Sequence, residues 1–551
     1  MAPTDHSIDL PHRMHWARWG DPAREEPVSE LLRDLVEAFL GDLTPRPAVP
    51  EEEVRLADVT LDEGLLDGLR DLLGSEHVHV DHAWRVARTR GKSTPDLLRM
   101  RAGDGSDAPD VVVRPASHDQ VAAVVTWCAE HGVALVPFGG GTSVVGGLAA
   151  RRDGFVGVVA LDLRRMTRLV DVDTVSGTAT LEAGLLGPEA EALLAEHGLT
   201  LGHFPQSFRY ASIGGFAATR SSGQSSAGYG RFDSMVMALK VATPIGDLEL
   251  GSSPANAAGP DLRELVLGSE GAFGVITEVT LKVRPVPEER VYEGWRWESF
   301  AAGTAAMRRL AQAAPQGRAM PTVLRLSDES ETAVNLARPD AVGGSDDPEG
   351  ADGSGRSGGC LMITGYEGTA DQVARAREAT TELLSALGGE ALGTEPGEAW
   401  SHGRFDGPYL RDSLLDVGVL VETFETVTFW SRLEELYAAV KGAVEADLTA
   451  QGTPPLVLCH VSHVYETGAS LYFTVAAKEL DDGVGQWLSA KRAASDAMIA
   501  TGASITHHHA VGRDHKPWLA EEIGPVGVEV LRAVKARLDP AGVLNPGILV
   551  P

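Results

Sequence analysis

The chain has 551 residues, too many for one ordinary core, and its overall composition is that of a soluble globular protein built from two or three lobes. A formal net charge of -30 leaves no basic stripe to displace counterions from a phosphate backbone, which excludes nucleic acid as a partner. The three cysteines, Cys128, Cys360 and Cys459, are far apart and form no CxxC pair, which excludes a disulfide framework or zinc ribbon and points to a reducing compartment.

In chain order, residues 1–107 read as a helical N-terminal region, with helical patterning at 28–40 and 61–73 and with Trp16 and Trp19 near the start. From 108 the pattern becomes an alternation of strands and helices. Residues 111–113 read as a buried strand. Ser117 and Gln120 have capping-box spacing ahead of a helix with Val121, Val124, Val125 and Cys128 on one face, and Gly132 closes it. Residues 134–138 form the next strand and run into glycines 139 to 141. Strands at 156–163 and 178–183 and a helix at 188–197 complete the reading of a nucleotide-binding lobe over 108–288. A second lobe runs over 289–505. It contains a Gly, Ser, Asp and Pro-rich insertion at 338–359 that cannot bury enough apolar surface to order itself. Residues 506–551 form a last segment, expected to complete the active site and pack on the first lobe.

The run Pro137-Phe-Gly-Gly-Gly-Thr-Ser143 follows a strand, and its glycines let successive amides point at one anion while Thr142 and Ser143 add hydroxyls. It lacks the Lys of a P-loop, and Val144 stands where a dinucleotide fingerprint needs its third glycine. Alone it reads as a turn. Its company changes that: Pro205-Gln-Ser207 leads into Ala211-Ser-Ile-Gly-Gly215, Thr219 follows, and Gly268-Ser-Glu-Gly-Ala-Phe-Gly-Val-Ile276 precedes another strand. Several such loops in one lobe can wrap a long, bent dinucleotide.

This set of loops resembles the flavin domain of the vanillyl-alcohol oxidase and p-cresol methylhydroxylase family, from about residue 108 to the C-terminus. The resemblance implies an α+β fold: a two-subdomain FAD-binding lobe of the p-cresol methylhydroxylase type and a substrate-binding cap lobe with an antiparallel sheet and helices. It implies FAD contacts from Pro137, Gly139, Gly140, Gly141, Thr142, Ser143, Gln206, Ser207, Ser212, Ile213, Thr219, Glu270, Gly271, Gly274, Val275 and Ile276. The Pro137 loop holds no His or Cys, so FAD is expected without a covalent link there.

Two branches of the family compete. In the D-2-hydroxy acid dehydrogenases, histidines and a glutamate hold a divalent metal, and Gly-Glu-His stands where this chain has His507-His508-His509. The triple histidine followed by Val511-Gly512 resembles instead the alkyldihydroxyacetonephosphate synthases. So do Thr322-Val-Leu-Arg325-Leu, Tyr409-Leu-Arg411-Asp, the stretch from Val419 to Thr426, and Trp16-Ala-Arg-Trp19-Gly. That branch uses FAD, without net redox change, to exchange the acyl chain of an acyl-dihydroxyacetone phosphate for a long-chain alcohol.

The synthase resemblance implies Tyr472 as acid/base, with His507, His508, His509 and Arg411 in the catalytic set and Arg325, Arg411 and Thr423 binding substrate. A tyrosine of ordinary pKa needs a cationic neighbourhood to act as base, and the histidines are expected to provide it. No metal belongs to this reading. His460 and His463 are metal ligands only under the dehydrogenase alternative. Gln206 stands where the synthases tend to have Asp, and the loop 224–230 is less basic than its counterpart.

The expected partners are a lipid phosphate and a long-chain alcohol, which implies a cytoplasmic protein that visits a membrane surface peripherally. No apolar run is long enough to cross a bilayer, and residues 1–6 begin no signal peptide. Family members are commonly dimers, so a homodimer is also expected.

Overall fold

The computed structural model describes residues 14–24, 28, 30–313, 320–336 and 358–551. The insertion expected at 338–359 lies outside the described residues except for Gly358 and Gly359.

The first lobe is built on two sheets. In the smaller, Val111–Val113, Val158–Asp162 and Ala134–Phe138 run parallel, as buried, β-branched strands with helical crossovers do. Val78–His79 adds an antiparallel edge, so the region before residue 108 contributes a strand to this sheet as well as the helices Glu30–Leu40 and Glu63–Leu73. Helix His118–His131 starts where Ser117 accepts from the Gln120 amide, and Gly132 ends it at φ 64. The larger sheet is an antiparallel set of five, in the order Gly246–Leu250, Val236–Thr243, Val275–Lys282, Thr178–Glu182 and Leu169–Asp173. A single apolar core runs through both sheets, with Val113, Val125, Leu161, Leu181, Val241 and Val279 at its centre.

The second lobe is one antiparallel sheet of seven strands, in the order Glu390–Gly393, Glu289–Trp297, Cys360–Gly368, Val323–Ser327, Leu456–Val464, Gly468–Lys478 and Val419–Phe429. Strand side chains alternate between faces. Val457, Cys459, Val461, Leu471, Phe473 and Val475 pack against helices Phe300–Ala313, Leu433–Ala450 and Gly483–Ala500. Their neighbours in sequence, Leu456, Leu458, His460, Tyr472, Thr474 and Ala476, line a cavity shared with the first lobe.

The last segment returns to the first lobe. Helix Lys516–Leu538 bends at Gly524 and Pro525, and Asp539 then accepts from the amides of Val543 (3.1 Å) and Leu544 (2.7 Å). Leu544 bridges to Leu135, and the Asn545 amide donates to the carbonyls of Gly147 (3.1 Å) and Glu270 (2.7 Å). No helix among the described residues is long and apolar enough to cross a membrane.

Candidate active site

The cavity between the lobes has a volume of about 1190 Å³. On the first-lobe side its wall is largely backbone. A Cβ on Gly140 would stand 1.7 Å from the Tyr210 carbonyl oxygen, so the glycine turn lies directly on the second loop. Gly141 adopts φ 74, a region that glycine enters without steric cost. Pro137, Gly139 to Ser143, Gln206, Ser207, Ser212, Thr219, Glu270, Gly271, Gly274, Val275 and Ile276 all line the cavity. Ile213 does not: it is fully buried in the core of the first lobe, since it opens helix Ile213–Thr219 with its side chain turned inward. A long wall of glycine amides and hydroxyls fits an elongated dinucleotide such as FAD.

Glu270 ties this wall to the last segment. It sits at φ 51 and accepts from the amides of Val511 (3.1 Å) and Gly512 (2.7 Å). Burial pushes its carboxyl up to about 7, against the pull of those two amides.

The cap wall is built from side chains, and strand register brings them together. Tyr472 lies opposite Glu425 on one neighbouring strand and opposite His460 on the other. Its ring stacks on His460 at 4.8 Å. Burial pushes Tyr472 up to about 12; the Thr423 hydroxyl opposes this, while the carboxylates of Glu422 and Glu425 add to it. The positive charge that opposes this rise is that of Arg411 and not, as expected, that of the histidines. Burial holds His463 and His507 well below their ordinary value and His509 at about 3, so all three are neutral at pH 7.

Glu425 organises the histidine run. The carboxylate is 1% exposed and accepts from the Thr506 hydroxyl and from the amides of His507 (2.7 Å), His508 (3.2 Å) and His509 (3.0 Å). Its oxygen also lies 3.3 Å from His508 Nδ1. Burial opposes its ionisation, but the imidazoles, His508 foremost, hold it well below the carboxylate range. Its position in the Val419 to Thr426 stretch was visible in the sequence, but its place beneath residues 506–509 was not.

His508 and His509 line the cavity, whereas His507 sits behind them, bonded through Nε2 to the Tyr465 hydroxyl (2.5 Å). His463, His507 and His508 bring one ring nitrogen each within 4.8 Å of the others, a spacing that can hold a metal ion. Ser226 Oγ fixes His463 Nδ1 at 2.7 Å. His460 stands apart from that trio, with Nδ1 bonded to Glu331 (3.1 Å) and to Arg325 (3.0 Å).

The expected substrate arginines are both partly engaged. Arg325 donates to Glu331 at 2.8 Å, which neutralises its charge locally. Arg411 donates to Asp412 Oδ1 (2.8 Å) and to the Lys92 carbonyl (2.8 Å), and leaves Nη2 buried without a partner. Thr423 lines the cavity beside them. Sequence reasoning missed the other arm of the cavity, walled by Val419, Val421, Leu456, Leu458 and Ala476 of the sheet and by Val28, Val36 and Leu40 near the start of the chain. The alternation along 456–461 and 472–477 is the signal that could have found it.

Comparison with known proteins places this geometry. Residues 109–250 match the family model described as FAD binding domain, and residues 286–549 match FAD linked oxidases, C-terminal domain. The chain is 34% identical to the alkyldihydroxyacetonephosphate synthase of Dictyostelium discoideum, over 100% of this chain and 95% of that protein. A solved alkyldihydroxyacetonephosphate synthase superposes with a TM-score of 0.83 at 29% identity, over 98% of this chain and 100% of the other. A p-cresol methylhydroxylase structure superposes with a TM-score of 0.65 at 16% identity, over 92% and 98% of the two chains, and shares the fold.

Proposed function

The chain belongs to the alkyldihydroxyacetonephosphate synthase family of FAD-binding enzymes, and from that premise we propose that it makes an ether lipid precursor by exchanging the acyl chain of an acyl-dihydroxyacetone phosphate for a long-chain alcohol. The observation that carries this reading is the continuity of one cavity: glycine loops for FAD, a tyrosine and histidine end, and an apolar arm long enough in lining residues for an alkyl chain. An arm lined by Val, Leu and Ala contributes about 0.8 kcal/mol for each methylene it removes from water.

Non-covalently bound FAD supplies an electron-poor ring that holds electron density from the carbon beside the ketone. The chain's own groups handle protons and position. His508, with the Glu425 carboxylate on its Nδ1 side, takes the proton from that carbon, and the carboxylate stabilises the resulting imidazolium. Tyr472, whose pKa of about 12 keeps it protonated at pH 7, donates its hydroxyl hydrogen to the oxygen that leaves with the acyl chain. The incoming alcohol returns a proton to the tyrosine and its oxygen forms the ether bond. The proton held by His508 goes back to the carbon, so no electrons are gained or lost overall. Thr423 fixes the tyrosine hydroxyl, and Arg411 lines the cavity beside it. The protein reaches its lipid substrates by peripheral contact with a membrane surface.

The test uses FAD-loaded protein with an acyl-dihydroxyacetone phosphate and a fatty alcohol labelled in its oxygen. Fatty acid release with the label retained in the product is expected; flavin-replete protein that exchanges nothing overturns the reading. The cluster of His463, His507 and His508 favours a second reading, oxidation of a 2-hydroxy acid with a metal bound there. Anaerobic bleaching of the flavin by a 2-hydroxy acid, abolished by a chelator, would establish that second reading in place of the first.

A further inference from the structure

Three imidazoles from two distant parts of the chain meet at the histidine end of the cavity. His463 comes from strand Leu456–Val464, and His507 and His508 from the loop that follows helix Gly483–Ala500. His463 and His507 are 4% and 5% exposed, and their rings stack at 4.9 Å. The His508 ring stands edge-on to both, 5.0 Å from His463 and 5.2 Å from His507. His463 and His508 line the cavity, so an ion reaches the trio from there.

The partners of each ring decide which nitrogen is free. Ser226 Oγ at 2.7 Å and Ser222 Oγ at 3.1 Å occupy His463 Nδ1, which leaves Nε2. The Tyr465 hydroxyl occupies His507 Nε2 at 2.5 Å, which leaves Nδ1, and that Nδ1 lies 2.9 Å from His508 Nδ1. Two imidazoles that share a zinc ion at about 2.0 Å each stand roughly 3.3 Å apart. One ring nitrogen from each of the three residues lies within 4.8 Å of the other two, so a small side-chain movement closes the set on an ion. Hydroxyl partners that fix tautomer and orientation are what a metal-binding histidine ordinarily has behind it. The local charge also suits a dication. A Glu425 oxygen lies 3.3 Å from His508 Nδ1, and Arg231, which donates to the His507 carbonyl at 3.3 Å, is paired with Asp233 at 2.8 Å.

We propose that His463, His507 and His508 bind a divalent transition-metal ion, zinc foremost, and that this ion inhibits ether formation by capturing His508. The site stands on its geometry; the inhibition rests on the functional reading above. A neutral imidazole has one N–H and one ring nitrogen with a free lone pair. In the metal-free protein the hydrogen sits on His508 Nδ1 beside Glu425, and Nε2 is free to take the substrate proton. With the ion on Nδ1 the hydrogen moves to Nε2, which then has no lone pair to offer. Coordination shifts one proton across the ring and releases none. The sign of the metal effect is opposite to that in the oxidative reading, where the ion is required for turnover.

The test strips FAD-loaded protein with a chelator, removes the chelator by dialysis and titrates zinc by calorimetry. Cobalt(II) is a second probe, because a three-histidine site gives it absorbance to the red of the flavin bands. One ion per chain is expected, with alcohol exchange halted as the site fills and restored by chelator. His463→Gln is expected to weaken zinc binding by about a hundredfold, and Ser226→Ala, which frees His463 Nδ1, by about tenfold. The zinc concentration that halves each variant's own activity should rise in step. The serine variant carries the test if the histidine variant does not fold. Wild-type protein that binds no zinc, or binds it no better than the folded variants, overturns the site. Zinc that fills the site and leaves exchange unchanged, or raises it, overturns the inhibition. Zinc binding that depends on His463 or Ser226, in a protein that exchanges no alcohol when metal-free, upholds the site and overturns the ether-forming reading and the inhibition with it.

Discussion

The two walls of the cavity recognise what they face by different means. The wall contributed by the first lobe is backbone: glycine turns laid on one another, as Gly140 lies on the Tyr210 carbonyl, with hydroxyls and a buried Glu270 behind them. The cap wall is side chains set by strand register, with Glu425, Tyr472 and His460 abreast on three strands and the histidine loop folded over the carboxylate. A backbone site tolerates little change in chain path, whereas a register site depends on a few buried charges and their partners.

Removing the charge that organises the cap wall gives the largest effect. Glu425→Ala leaves three amides and a hydroxyl without their acceptor, and unfolding in urea is expected to show a loss of about 3–5 kcal/mol. Its activity should fall by about a thousandfold or more, because His508 loses both its place and its counter-charge. FAD absorbance should persist, since the glycine loops do not rest on Glu425. Loss of FAD in a folded Glu425→Ala protein would show that the two walls are not separable.

Titration separates the walls by sign. Glu270 has a folded pKa of about 7 against an ordinary 4.5, so its stabilising contribution is full below about 4.5 and is lost as pH rises through 7. The buried histidines have depressed values, so their contribution is present above about 6.5 and is lost as pH falls. Glu270→Gln is expected to remove up to about 3 kcal/mol of the decline between pH 5 and 7, and His463→Asn to soften the decline below pH 6. Denaturant midpoints across that range check both; the same slope change from the two substitutions would break the assignment.

The smallest effect lies in the apolar arm. Val421→Ser should leave kcat for a short-chain substrate unchanged and cost about 1–2 kcal/mol of binding for a long-chain one, read as the ratio of kcat/KM values.

The first-lobe wall was legible because backbone recognition is written in contiguous residues. Pro137 to Ser143 and Glu270 to Ile276 announce themselves, and only Ile213, one position along a helix, was misplaced into the wall. The fold class was legible for the same reason, through local alternation and the order of the loops. The cap wall was legible as a set of residues and not as an electrostatic arrangement. Tyr472, Arg325 and the histidines were visible, but whether imidazoles are charged depends on burial, and which carboxylate meets which cation depends on a register that no single segment contains. Hence the positive charge expected at Tyr472 from the histidines comes from Arg411, while burial keeps His463, His507 and His509 neutral. Arg325 likewise lines the cavity, but its pairing with Glu331 could not be read from its own segment. The apolar arm needed α and β segments far apart in the chain, Val28 to Leu40 with Val419 to Ala476, to be set side by side.

The docking of residues 539–545 on the glycine loops couples the two walls mechanically. Asn545 reaches the carbonyls of Gly147 and Glu270, and the Glu270 carboxyl in turn holds Val511 and Gly512, immediately after the three histidines. Val543 and Leu544 are themselves part of the first-lobe core, so the histidine loop of one wall is moored to the core behind the other. A substitution that loosens Asn545 is therefore felt across the cavity, at His508 and His509.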